Sequence, residues 1–329
     1  MREDEHSPLV SICLKCFNQE AYIGDALAGA FAQTYRPLEI VISDDCSTDR
    51  SWEIITGAVE EYRRRPDAAD VVVSRNERNL GNLGNWLALC SHASGRLLVK
   101  ADGDDVSLPE RAGRIVEAWR ADGCRAMVIS HGGVQIGPRG QTLGPMAPFS
   151  AAAPVGAAMA FDRRVFEAFG GVQDPRIVDD ELFAFRARML GPELVMPDRL
   201  VLYRLGTGVS NSLWRIRRPL VKCAQDLLKA LDQVRTDIAG ADWMRDGERE
   251  MWLGRVAERE REFKARLALM EGRTFRERRE AARQLAPLPP VSIMNFIQCA
   301  FLMPRPAGDA MLLCYALVRH VTRRLRRCG

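Results

Sequence analysis

From residue 8 onward, short apolar, β-rich runs alternate with longer segments of helical periodicity, and that alternation leaves few folds open. A strand, a helix and a second strand make a crossover unit, and repeating it builds a mostly parallel sheet with flanking helices. "LVSICL" (9–14) reads as the first strand, "AYIGDALAGAFAQ" (21–33) as a helix and "LEIVIS" (38–43) as the second strand. Ser47 or Asp49 of "CSTDRS" can cap a helix through "WEIITGAVEEYRRR". "DVVVSR" (70–75) is a third strand, "NWLALCSHA" (85–93) a helix and "RLLVKA" (96–101) a fourth strand. "PERAGRIVEAWRADG" is a helix with Pro109 in its first turn and Gly123 past its end, and "CRAMVISH" (124–131) is a fifth strand. Residues 132–154, rich in Gly, Pro, Ala and Ser, read as a long loop. "VGAAMAFDRRVFEAFGG" (155–171) then reads as a strand, a short helix and a glycine stop. "VDDELFAFRARMLG" (178–191) reads as an amphipathic helix opening on acids, where the helix dipole favours them.

In an open parallel sheet, ligands meet the carboxyl ends of the strands, so the polar residues just past each strand are the candidates for function. Here they are Lys15, Phe17, Asn18 and Glu20 after the first strand, and Asp44 and Asp45 after the second. Asn79, Asn82 and Asn85 follow the third, and Asp102, Asp104 and Asp105 the fourth. Five carboxylates on one rim repel each other unless they hold a cation or accept hydrogen bonds from a ligand, and hard oxygen donors at close spacing suit Mg²⁺ or Mn²⁺. "KCFNQEAYIG" is neither GxGxxG nor GxxxxGK[ST], which argues against dinucleotide oxidoreductases and P-loop NTPases. It also argues against a nucleotidyltransferase that makes sugar nucleotides, because such an enzyme needs a Gly-rich basic loop at this place.

Several of these segments, in this order, resemble glycosyltransferase family 2, whose fold is called GT-A. The resemblance runs from about residue 8 to 212: "KCFN" (15–18), "SDDCSTD" (43–49), "NLGNLGNWLALCSHASG", "KADGDDVSLPER" with its DxD motif, "VGAAMAFDRRVFEAFGG", "VDDEL" and "YRLGTGVSNS". It implies a Rossmann-like, mostly parallel α/β sheet and transfer of a sugar from a nucleoside diphosphate donor to a hydroxyl of a glycan or lipid-linked glycan. By the same resemblance Phe17 flanks the base with Asn18 and Glu20 nearby, and Asp45 accepts a hydrogen bond from a base N–H. Lys15, Asn79 and Asn85 line the donor site, and Asp102 lies near the ribose. Asp104 ligates a divalent ion, Mn²⁺ or Mg²⁺, with Asp105 in support. Asp180 is the general base of an inverting displacement, with Asp179 the rival assignment. Three features depart from the pattern: Lys15 stands where a small residue or Pro is usual, the Asn-rich stretch lacks an Arg before its last Asn, and "YRLGTGVSNS" has no His.

Three domains of sequence are expected: a flexible N-terminus (1–7), the catalytic unit (8–212) and a helical C-terminal region (213–329). In the last, Trp252, Val256, Phe263, Leu267 and Met270 form one stripe, Glu260 to Lys264 and Glu262 to Arg266 are i,i+4 pairs, and Thr274 with Glu277 can form a capping box. Residues 305–329 hold six Arg and one Asp, so this tail carries +5 of a net +4 and the rest of the chain is near neutral. That balance offers no broad basic field for nucleic acid. The tail reads either as a basic amphipathic segment on an anionic membrane surface or as a helix packed on protein with a solvated basic edge. The apolar runs 291–303 and 310–318 are shorter than the ~20 residues a membrane span needs. Nine scattered cysteines and no leader pattern point to a cytoplasmic setting, with peripheral placement on the inner membrane face through the tail. Cys13 and Cys16 read as core rather than as a metal or redox pair.

Overall fold

The computed structural model describes residues 7–146, 148, 156–174, 177, 179–205, 217–271 and 274–283. The basic tail, the two apolar runs before it, the Pro-rich break at 286–290 and most of "YRLGTGVSNS" lie outside these residues. The chain divides into two compact units, 1–208 and 209–329.

In the first unit, strands β1 (Val10–Cys16), β2 (Leu38–Asp44), β3 (Asp70–Arg75) and β4 (Leu97–Asp102) pair in parallel in the order β3-β2-β1-β4. Helices α1 (Ile23–Phe31), α2 (Ser51–Tyr62), α3 (Gly81–His92) and α4 (Arg111–Ala121) connect or follow them. Period-2 alternation then sorts the side chains. Val10, Ile12, Leu14, Leu38, Ile40, Ile42, Leu97, Val99 and Ala101 enter one core cluster that also holds Ile23, Leu27, Ile55, Val59, Ile115 and Trp119. The opposite face therefore carries Ser11, Cys13, Lys15, Leu98, Lys100 and Asp102, and it meets a second layer through Trp86 and an aromatic cluster. There Trp86, Phe161, Phe166 and Phe183 stand 4.8–6.5 Å apart between ring centroids. Cys13 and Cys16 are buried, and burial pushes the Cys16 thiol up to about 12, as an inert core thiol requires.

The helix α3 begins four residues before the expected "NWLALCSHA". Its first N–H groups find their acceptor outside the helix: Asp45 Oδ1 accepts from Leu80 N at 2.8 Å and Oδ2 from Gly81 N at 2.9 Å. A cap supplied from another strand leaves no local sequence signal.

The sheet continues past β4 in a way the sequence did not suggest. Strand β5 (Val106–Ser107) is a short piece; β6 (Val128–Ile136) begins in the expected fifth strand and runs on into the stretch expected to be a loop, where β7 (Thr142–Met146) pairs with it antiparallel. After a 3₁₀ turn (Gly156–Ala158), β8 (Met159–Asp162) runs antiparallel between β4 and β6. Helices α5 (Arg164–Glu167) and α6 (Asp179–Leu190) follow. The strand β9 (Glu193–Arg204), not expected at all, then pairs with β6 and β5. The glycines that made 132–133 look like loop are demanded by strand approach. A Cβ on Gly133 would lie 2.6 Å from Val201 O, and one on Gly132 2.8 Å from Met146 O. Pro197 and two register shifts against β6 hide β9 in the same way.

The second unit contains helices α7 (Arg217–Gly240), α8 (Asp246–Glu271) and α9 (Phe275–Arg283). Trp252, Val256, Phe263 and Met270 are buried as a stripe, joined by Leu269, while Leu267 is only partly covered. Lys264 and Arg266 pair with Glu260 and Glu262, each at 2.5 Å. Thr274 and Glu277 exchange two hydrogen bonds of 3.2 Å, which is the reciprocal cap of α9.

Candidate active site

The parallel register brings Lys15 level with Ser43 on one side and Asp102 on the other, so the carboxyl ends of β1, β2 and β4 form one edge. On the face shared with α3 and α6, that edge carries two lysines and three aspartates. Lys15 Nζ lies 3.1 Å from Asp102 Oδ1 and 3.9 Å from Asp179 Oδ2, and it donates to Asn82 Oδ1. Asn82 Nδ2 in turn donates to Asp179 Oδ1 at 2.6 Å. Lys100, 1% exposed, donates from Nζ to both Asp179 Oδ2 and Asp180 Oδ1, and its ammonium stands 5.2 Å from the centre of the Trp86 ring. Asp180 Oδ2 accepts from Gly156 N at 3.0 Å.

These contacts separate the two adjacent acids. Burial alone would raise both. For Asp179 that effect is outweighed by Lys100 and then Lys15, which hold its carboxyl below the usual range. Asp180 is raised, by burial and by the charge of Asp179, against the pull of the two lysines. The side chain of Asp179 is wholly enclosed, whereas that of Asp180 is 23% exposed. An accessible carboxylate of raised proton affinity beside an inaccessible, firmly ionised one is the pattern expected when one acid works and its neighbour tunes it. Lys100 is raised as well: burial pulls it down, but Asp179, Asp180 and Asp102 more than compensate, so it stays charged.

Asp104 is partly buried at the rim, and its backbone O accepts from Arg204 Nε at 2.8 Å. Asp105 points inward. Its Oδ1 accepts from Arg204 N at 2.6 Å, and burial, followed by Asp104 and Asp102, pushes its carboxyl well up. Beneath it lies fully buried Arg111, whose guanidinium donates to Ser107 Oγ, Lys100 O, Ala157 O and His131 Nε2 at 2.8–3.0 Å. Burial and then Arg111 push His131 down to about 3, which makes it a neutral acceptor on Nε2, with Nδ1 set to donate to Gly132 O at 2.7 Å.

The other expected donor-site residues divide. Phe17 is 43% exposed on the rim, where an aromatic face can meet a base. Asp45 departs from the expectation. It is 2% exposed and both its oxygens are taken, by Asn76 Nδ2 at 2.8 Å and by Leu80 N and Gly81 N, so it anchors the 76–81 segment. Asn85 departs too: it is buried, and its Oδ1 accepts from Ser43 Oγ at 2.6 Å and from Asn76 Nδ2 at 3.1 Å. Asn79 Oδ1 accepts from Gly81 N at 3.0 Å. Asn18, in the left-handed region at φ 50°, accepts from Thr48 N at 2.8 Å, and Glu20 accepts from Arg50 N at 3.0 Å while its own N donates to Asp49 Oδ2 at 2.9 Å. These two lock the loop after β1 to the loop after β2 and so hold Phe17 at the rim. Lys100 is the residue that sequence reasoning missed, while Asn82, expected only as a strand-end candidate, joins Lys15 to Asp179. A lysine at a buried strand position, two residues before Asp102 and so on its face, was a usable signal, because such an ammonium must find carboxylates.

Among the described residues, no group of three or more His, Cys, Asp or Glu side chains is placed to hold a metal ion by itself.

The half-parallel, half-mixed sheet is shared with solved glycosyltransferases. S. aureus TarS 1-349 in complex with UDP-GlcNAc superposes with a TM-score of 0.57 at 16% identity, covering 96% of this chain and 91% of that one. The mannosyltransferase PcManGT from Pyrobaculum calidifontis, in complex with GDP-Man and Mn²⁺, gives 0.56 at 18% identity, covering 95% and 87%. The fold is thus the GT-A fold. Residues 11–171 match the profile described as Glycosyl transferase family 2. An uncharacterized glycosyltransferase of Nostoc sp. is 27% identical over 222 residues, 62% of this chain and 66% of the relative. An undecaprenyl-phosphate 4-deoxy-4-formamido-L-arabinose transferase of Pseudomonas aeruginosa is 34% identical over 112 residues, 33% of this chain and 32% of that one. The chain spans less than two thirds of the length of these curated relatives. Residues 11–171 therefore carry a glycosyltransferase family 2 domain.

Proposed function

We propose that the protein is a metal-dependent, inverting glycosyltransferase that moves a sugar from a nucleoside diphosphate, a UDP-sugar in the first instance, to a hydroxyl of a glycan or lipid-linked glycan. The observation that carries the reading is Asp180, which is partly exposed, of raised proton affinity and fixed by Lys100 and Gly156 on the face of the sheet that carries Asp102. As the acceptor oxygen attacks the anomeric carbon and the bond to the diphosphate breaks on the opposite face, Asp180 takes the hydroxyl proton. Attack from one face with departure from the other inverts the configuration. Asp179 stays ionised and sets the field in which Asp180 works.

Phe17 flanks the base, Asp102 meets the ribose, and Lys15, now paired with Asp102, offers a cation toward the phosphates. Asp45, Asn79, Asn85, Asn18 and Glu20 shape this pocket from behind. Asp104 would hold Mn²⁺ or Mg²⁺, with buried Asp105 in support, and the ion would neutralise charge on the departing diphosphate. The named ligands of the two solved relatives support a nucleotide-sugar donor and a divalent ion, and the Pseudomonas relative supports a lipid-linked acceptor. No described helix is long and apolar enough to cross a membrane. We place the protein in the cytoplasm, held peripherally at the inner membrane face by its basic tail, in surface polysaccharide synthesis.

The test is a panel of nucleoside diphosphate sugars with Mn²⁺ or with chelator, followed by thermal shift and by slow hydrolysis of the donor. A metal-dependent response to at least one donor is expected. No response to any of them would overturn the reading.

A further inference from the structure

We propose that Lys100 is a positioning residue for the proposed base: one buried ammonium that keeps two adjacent aspartates ionised together and aims Asp180 at the acceptor. The inference rests on the assignment of Asp180 given above.

The geometry is a bridge. Asp179 and Asp180 open α6 side by side, and like charges on neighbouring residues repel. Lys100 Nζ donates to one oxygen of each. The second oxygen of Asp180 is held by Gly156 N, and the second oxygen of Asp179 by Asn82 Nδ2. With both oxygens engaged, the Asp180 carboxylate has one orientation. The strand beneath is fixed as well, because Lys100 O accepts from Arg111 at 2.9 Å. Gly156 closes over the bridge so tightly that a Cβ there would lie 2.6 Å from Lys100 Nζ.

Among the described residues, the groups that face Asp180 are Asp179 on its own helix, Lys100 from β4, Lys15 from β1 and Tyr203 from β9, with backbone offered by Gly156. Tyr203 is pushed up, by burial and then by Asp105 and the other acids, so it is neutral near pH 7. Among the described residues two cations serve Asp179 and Asp180, and Lys100 touches both while Lys15 lies 3.9 Å from Asp179. Without Lys100 the two carboxyls become a more strongly repelling pair, and the proton affinity of Asp180 rises further.

The experiment compares wild type, Lys100→Met, Asp179→Asn and the charge-balanced double variant. The protonated-carboxyl stretch is followed by infrared titration of the ligand-free protein, and in parallel the acid limb of kcat/KM is measured with the donor found active. Lys100→Met should raise the carboxyl titration by about one pH unit or more and carry the acid limb with it. Asp179→Asn should lower both, and the double variant should return them toward wild type. If Lys100→Met does not fold, Asp179→Asn and the double variant still decide, because the proposal requires them to titrate differently. A carboxyl titration that ignores these substitutions, whatever happens to the rate, overturns the inference. A wild-type protein that turns over no donor overturns the functional reading instead, while the infrared titration still reports on Lys100.

Discussion

Replacing Gly156 with alanine perturbs the candidate base without touching its charge. A Cβ at this position would lie 2.5 Å from Asp180 Oδ1, 2.6 Å from Lys100 Nζ and 2.8 Å from Lys100 Cε. Ordinary contact begins at 3.4 Å, so the Asp180 oxygen must retreat by about 0.9 Å (3.4 − 2.5). The clashing atoms are side-chain ends rather than backbone, so they can yield without undoing the fold. A displacement of roughly 1 Å at a reacting group costs on the order of 10²-fold in rate, which corresponds to about 2.7 kcal/mol in the barrier. Gly156→Ala should therefore lower kcat on the order of a hundredfold, with donor KM and the thermal midpoint close to wild type. The assay is steady-state release of nucleoside diphosphate, paired with a thermal melt. Wild-type kcat in a folded variant would refute the placement of Asp180 in the chemistry, and collapse of the fold would refute the claim that the side chains can yield.

His131 is neutral in the folded protein down to about 3, so its contribution falls as pH drops below the unfolded value near 6.5, where only the unfolded chain takes up the proton. His131→Asn should remove about 2 kcal/mol of the loss of stability between pH 7.5 and pH 5.0, measured by urea denaturation at both; an unchanged pH slope contradicts the reading. Glu39 Oε1 accepts from Ser11 Oγ and Ser94 N, each at 2.5 Å, and from Gly95 N at 3.0 Å. Glu39→Ala should cost about 3 kcal/mol in a denaturant titration and Glu39→Gln much less; equal effects would count against this account. Deleting the chain after Arg305 should reduce co-sedimentation with vesicles rich in anionic lipid and leave donor hydrolysis unchanged, and undiminished co-sedimentation removes the membrane role of the tail.

The first four strands were legible because each is a short apolar run whose alternation must face helices on both sides. In the second half of the sheet the start of β6 and the strand β8 were legible, but the extension of β6, β7 and β9 were not. In β6 the glycines that permit close approach of β7 and β9 are the same residues that mark loops elsewhere, and in β9 a proline interrupts the run. The site shows a parallel divide. Strand ends located the acidic rim, but sequence order could not say which acids turn inward: Asp45 is spent on the start of α3, and Asp105 on Arg204. Partners distant in the chain, such as Lys100 with Asp179 and Asp180, become visible only when the sheet brings β4 beside α6.

The most direct measurement separates donor binding from turnover. Calorimetric binding of a nucleoside diphosphate in the presence of Mn²⁺ and release of that diphosphate from its sugar are measured for wild type, Asp104→Ala and Asp180→Asn. The account predicts that Asp104→Ala loses metal-dependent binding, whereas Asp180→Asn binds as wild type does and does not turn over. Turnover by Asp180→Asn at the wild-type rate, or binding that ignores both the metal and Asp104, would contradict it.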